Sequence, residues 1–219
     1  MPIKAKRSTS AKSTATRQGR KSRRDTIVLQ AALSFYENGF DATTVRDIAA
    51  NSGMTSGSIF YHFATKEELL TRIIREGLQL GHQTADLELV GKTQPVEQYH
   101  ALILGHLKAL HDQRHTHKVA VQEWRRLPTE ARAELKQINN WYRERWLGVL
   151  SALKVEKLLR ADPEPTRRML IASLNWTLHY KDEDLKDLHA LSFQMAACGL
   201  NLPVDEFEGL LHQAALQTS

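Results

Sequence analysis

Between Thr43 and Leu70 the chain reads TTVRDIAANSGMTSGSIFYHFATKEELL, an order of residues that few folds accommodate. Val45, Ile48 and Ala49 stand at i, i+3 and i+4, the spacing of a short helix with one buried face. Asn51, Ser52 and Gly53 interrupt it with residues suited to a tight turn. A second short helix is predicted through Thr55–Tyr61, with small hydroxyls and an aromatic on its outer side. Two short helices joined by a glycine-containing turn predict a helix-turn-helix, whose second helix can enter a major groove.

The surrounding sequence extends the helical pattern. Strand-like alternation of apolar and polar residues is hard to find, whereas helical spacing recurs after Arg24, so the expected class is all-α. One helix should run from Arg24 to Asn38, stopped by Gly39. Thr44 with Asp47, and Thr65 with Glu68, look like capping boxes opening the next helices. The second of these should continue to about Gly81. Five or six more are expected beyond residue 82: Pro95–Asp112, a short one around Val119–Arg126, and a long one after Pro128. A helix opened by Pro163 and Pro165 should reach about Tyr180, one through Leu188 and Met195 should follow, and Pro203 should start the last. The expected division is a basic arm at 1–22, a helix-turn-helix head at 23–70 and a larger helical body at 71–219.

Charge is unevenly placed. The net +5 arises because residues 1–24 hold nine Lys or Arg and no acid, which leaves the rest of the chain mildly acidic. A basic arm on such a body points to localised contact with phosphate, and its low apolar content predicts disorder when free. The apolar runs fall far short of the roughly 18 residues that span a bilayer. The lone Cys198 excludes an internal disulfide and a thiolate metal cage, which fits a reducing cytoplasm. There is no glycine-rich phosphate loop, nucleophile elbow or metalloprotease pair, so neither an enzyme nor a cofactor is expected.

The segment from about Ile27 to Ile73 resembles the TetR family of bacterial transcriptional regulators. The matching residues are Ala31, Phe35, Gly39, Phe40, Thr43, Thr44, Val45, Asp47, Ile48, Ala49, Gly53, Gly57, Ser58, Ile59, Tyr61, His62, Phe63, Lys66, Glu67 and Leu69. The resemblance implies a three-helix DNA-binding head and a helical body that dimerises and binds a small ligand. It puts Thr55, Ser56, Gly57, Ser58, Tyr61 and His62 on the recognition helix. It puts Thr44, Arg46 and Lys66 at helix starts where free N–H groups favour an anion. The family most often has Tyr where this chain has Phe60, and Tyr61 is the phenol that remains. The implied partners are an operator duplex and a second copy of the chain. The dimer contact falls near 165–180 and 184–199, where Ser192, Met195, Ala196 and Gly199 would permit close packing between copies.

The ligand side rests on Asn175-Trp176-Thr177-Leu178-His179-Tyr180, which gathers an amide, an imidazole and two aromatics near one helix end. This segment resembles one in a TetR branch that answers to acyl-CoA thioesters. Candidate ligand-binding residues are Trp124, Trp141, Tyr142, Arg145, Trp146, Asn175, Trp176, His179 and Tyr180. Arg125, Arg126 and Arg143, with Arg145, could meet phosphates. A second reading uses His100, His106, His111, His115 and His117, of which His111 and His115 have the i, i+4 spacing of a metal pair. That reading would make the chain a metal-responsive regulator.

Overall fold

The computed structural model describes residues 22–218, which form ten α-helices and no strand. Of the expected arm at 1–22, residues 1–21 lie outside the described residues, and Ser22 is the N-cap of the first helix. The helices are α1 (Arg23–Asn38), α2 (Val45–Asn51), α3 (Ser56–His62), α4 (Lys66–Leu89) and α5 (Pro95–Asp112). They continue as α6 (Arg114–Glu123), α7 (Thr129–Val155), α8 (Pro163–Trp176), α9 (Leu188–Leu200) and α10 (Val204–Thr218).

Local chemistry sets the boundaries of the head. Ser22 and Asp25 form a reciprocal capping box that opens α1, and Gly39 ends it at φ +80°. Thr44 and Asp47 do the same for α2. Gly53 takes φ +63° between α2 and α3, a left-handed turn that a side chain would strain. Thr55 caps α3 and Thr65 caps α4, each accepting the backbone N–H three residues on. Behind the caps, Ile27, Phe35, Ile48, Ile59, Phe63, Leu69 and Ile73 fill one apolar cluster. Val119, Leu127 and Leu135 from α6, its following turn and α7 belong to that same cluster, so the head's core closes against the body.

The body packs around α5. Gly105 on α5 brings that helix so close to α4 that a Cβ there would lie 3.0 Å from the Ala85 backbone. Trp146 is fully buried, with Tyr99, Leu107, Leu150 and Leu174 in the second apolar cluster. Ser192, Ala196 and Gly199 do not face outward as expected for a dimer seam. Ser192 hydrogen-bonds His100 at 2.9 Å, the Tyr99 hydroxyl donates to the Ala196 carbonyl at 3.2 Å, and a Cβ on Gly199 would sit 2.2 Å from that hydroxyl. Their small size lets α9 approach α5 within one chain. Two elements also differ in length from the sequence reading. α4 runs eight residues past Gly81, and α8 stops at Trp176, where Thr177–His179 tightens into a 3₁₀ turn. The Thr177 hydroxyl accounts for that end, donating to the Leu174 carbonyl at 2.7 Å.

Candidate DNA interface and effector cavity

The outer face of α3 is the most exposed aromatic surface of the head. Tyr61 is 86% exposed, Phe60 lies beside it, and the His62 ring meets Tyr61 edge-on at 5.1 Å. Gly57 and Ser58 are exposed and Ser56 half-buried. Thr55 and Ser58 turn their hydroxyls toward each other at 3.1 Å, so both serve the cap as well as the surface. Arg46 on α2 is exposed.

Two of the expected anion contacts have other occupations. The Thr44 backbone N–H and hydroxyl both donate to Asp47, and those bonds hold that carboxyl below its ordinary range. A carboxylate thus already stands at the start of α2. Lys66 extends its ammonium to the carbonyls of Phe40 and Thr43 at 2.8 and 3.0 Å and over the Phe40 ring at 4.3 Å. It ties α4 to the loop after α1, rather than lying open at a helix start.

In the body, α4, α5, α6, α7 and α8 enclose a cavity of about 400 Å³ with largely apolar walls. Of the nine ligand candidates, Trp124, Tyr142 and Asn175 line it. The other six do not. Trp146 is core. Trp141 is exposed, with the Arg145 guanidinium 3.9 Å from its ring centre, and Arg145 is ion-paired with Asp86. Trp176 is 63% exposed and stacks on His179, which donates to the Trp176 carbonyl, while Tyr180 is exposed on the stretch that follows. The helix-end motif therefore points mostly outward, because α8 stops at Trp176 instead of carrying its face through Tyr180.

Much of the rest of the cavity wall comes from residues that the sequence pattern assigned elsewhere or left unmarked. His82 and His106 flank Tyr142, their rings nearly parallel to it at 5.3 and 5.9 Å. His106 continues the polar line, within 2.9 Å of the Tyr142 hydroxyl and 3.3 Å of Asn175 Oδ1. Burial pushes His106 and His117 down to about 4, so both rings are neutral near pH 7. Arg125, Arg143 and Arg167 also contribute to the lining, and Glu164 pairs with both Arg143 and Arg167. Hydrogen bonds from the Arg167 and Arg168 guanidiniums, with the nearby charge of Arg143, hold Glu164 at about 2. Gly77 and Gly81, one turn apart on α4, were the available sequence signal for this wall. Paired mid-helix glycines on one face mark a space or a close approach.

The metal reading loses its basis. His100 turns to Ser192, His106 to Tyr142 and Asn175, His111 to Thr177 at 2.9 Å, and His115 to the Tyr36 ring at 4.6 Å. The rings at i and i+4 thus address different neighbours. Among the described residues no group of three or more metal-binding side chains comes together.

Comparison with known proteins agrees with this architecture. Residues 27–73 match the family of bacterial regulatory proteins, tetR family, and residues 92–182 match the tetracyclin repressor-like C-terminal domain. The HTH-type transcriptional repressor KstR2 of Mycobacterium tuberculosis is 34% identical over 144 residues, covering 64% of this chain and 71% of its own. The structure of that organism's ketosteroid transcriptional regulator KstR2 superposes with a TM-score of 0.73 at 25% identity, over 84% of this chain and 95% of the other. AibR, solved in complex with isovaleryl coenzyme A and operator DNA, gives a TM-score of 0.71 over 82% and 96%. At 21% identity that last likeness is one of fold alone. With a helix-turn-helix head, an all-helical body and relatives of this kind, the chain belongs to the TetR family and is a DNA-binding transcriptional repressor rather than an enzyme.

Proposed function

We propose that this repressor holds a pseudo-palindromic operator in two successive major grooves and releases it when an acyl-CoA thioester fills the cavity of the body. Two copies would supply the two heads. The outer face of α3, with Ser56, Gly57, Ser58, Tyr61 and His62, would lie in the groove, and Arg46 would meet phosphate. The copies would join through the outward sides of α8 and α9. Met169, Ala172 and Trp176 form an exposed stripe on α8, and Ala190, Gln194 and Cys198 lie exposed on α9. Such a regulator would work in the cytoplasm, where its operator lies.

The cavity supports the effector class by size and by charge. At about 30 Å³ for each water-sized group, it holds about a dozen non-hydrogen atoms. That suits an acyl group and leaves the nucleotide outside. Arg125, Arg143 and Arg167 would meet the nucleotide's phosphates.

One observation carries the coupling: α6 is shared between cavity and head. His117, Ala120 and Val121 line the cavity. Val119 lies in the head's core, and Lys118 sits 4.8 Å over the Tyr36 ring of α1. An occupant that displaces α6 would move the surface on which α1 rests. Such coupling is reciprocal, so operator DNA must weaken effector binding by the factor by which effector weakens DNA binding. The test is titration calorimetry of acyl-CoA thioesters and the matching free acids, with and without a duplex selected by the protein from random sequence. Thioester affinity that ignores the duplex would overturn the proposal.

A further inference from the structure

Three arginines line the cavity, and the chain treats them unequally. Arg125 makes no ion pair among the described residues, whereas Arg143 and Arg167 share one carboxylate, that of Glu164. Arg167 gives Glu164 two hydrogen bonds, Nε to one oxygen and Nη2 to the other, both at 3.1 Å. Arg168 adds a third at 2.9 Å, and Arg143 reaches across from α7 with Nη2 at 3.3 Å. Three guanidiniums from two helices thus converge on a single side chain. A two-point fork of this kind is also how arginine holds a phosphate.

Pairs three and four residues apart on one helix are common, and they would explain Arg167 and Arg168 alone. They do not explain Arg143, which comes from α7, or the place, since Arg143 and Arg167 both belong to the cavity wall. Arg143, Glu164 and Arg167 are all half-buried, so each charge is felt more strongly than on an open surface. Pro163 and Pro165 bracket Glu164, and their rings fix the backbone on either side. The carboxylate therefore leaves its arginines by turning its own side chain rather than by a shift of the chain.

An anion arriving at this wall meets a site already filled by an anion. If it takes the Arg167 fork, Glu164 loses hydrogen bonds. If it settles alongside, two negative charges share the same guanidiniums. Either route weakens binding, and both obstacles shrink when the carboxylate becomes an amide of the same shape. Hydrogen bonds from Arg167 and Arg168 hold the carboxyl at about 2, so the competitor is charged at any pH near neutral.

We infer that Glu164 is an internal competitor for the effector's phosphates: it occupies the Arg143–Arg167 site itself and sets how much charge an effector must bring to take that site over. The inference rests on the cavity being the effector site.

The test is calorimetric titration of wild-type protein and Glu164→Gln with butyryl-, octanoyl- and benzoyl-CoA. The N-acetylcysteamine thioesters of the same acids, which carry no phosphate, serve as the comparison. Glu164→Gln should bind the CoA thioesters about fivefold more tightly than wild type, the reach of one partly exposed charge. It should bind the phosphate-free thioesters no better. The gain should also fade as salt is raised. Glu164→Ala lacks the same charge, should show the same gain, and decides the matter if the glutamine variant does not fold. Unchanged or weaker binding of CoA thioesters by a folded variant overturns the inference and leaves the effector reading standing. An equal gain for the phosphate-free thioesters does the same. Failure of every CoA thioester to bind any of these proteins overturns both.

Discussion

Tyr61 and Lys66 stand five residues apart and do opposite kinds of work. The phenol of Tyr61 touches little of its own chain beyond the His62 ring, so Tyr61→Ala should leave the melting temperature unchanged. It should cost about 1–3 kcal/mol in operator affinity if the phenol meets DNA. Lys66 joins two backbone carbonyls and an aromatic face, so Lys66→Ala should destabilise the head by about 1–3 kcal/mol before DNA is considered. Calorimetric melting and a gel shift at fixed salt on the same two variants separate the roles. A wild-type melting temperature for Lys66→Ala would contradict the structural duty. The sequence spoke clearly about Thr44 and Thr65, because a cap involves residues three apart. It could not reveal what Lys66 does, since the Phe40 and Thr43 carbonyls lie more than twenty positions upstream.

Element boundaries and faces divide the same way. Turn glycines, caps and prolines placed most helices to within a few residues, including α5 after Pro95 and α8 after Pro163. What a helix face meets depends on partners distant in the chain. The small side of α9 reads equally well as a seam between copies or as a bed for Tyr99, and the structure uses it for Tyr99. The cavity was obscure for that reason, being assembled from a few residues on each of five helices. Gly81 tests the α4 wall directly. A Cβ there meets nothing within 4 Å, and glycine inside a helix costs about 1 kcal/mol relative to alanine. Gly81→Ala should therefore raise the stability of the ligand-free protein by about 0.5–1 kcal/mol in urea unfolding. The added methyl should also weaken binding of the bulkiest guests. A destabilised variant would mean that the glycine serves a close approach rather than open space.

For the molecule as a whole, buried histidines set the response to acid. His100, His106 and His117 each have their proton affinity lowered by burial, from 6.5 in the open chain to about 4 when folded. Between these values the unfolded chain binds protons that the native state refuses, so stability rises with pH across that window and falls as pH drops from 6.5 toward 4. Each histidine can contribute a slope of up to about 1.4 kcal/mol per pH unit. Melting temperatures measured from pH 7.5 to 4.5 should decline most steeply below 6.5. A flat profile across that range would show that these rings accept protons in the folded protein.

The apolar residues lent to the head by α6 and α7 carry a practical consequence. Severing the chain at residue 70 or 71 would cut within α4 and strip Ile73, Ile74, Val119, Leu127 and Leu135 from the cluster they help to close. A fragment ending there would bare a greasy underside and should aggregate instead of recognising a duplex. Chimeras that graft this head onto a foreign body would need to import the matching patch, or evolve a new one, before sequence specificity could travel with it.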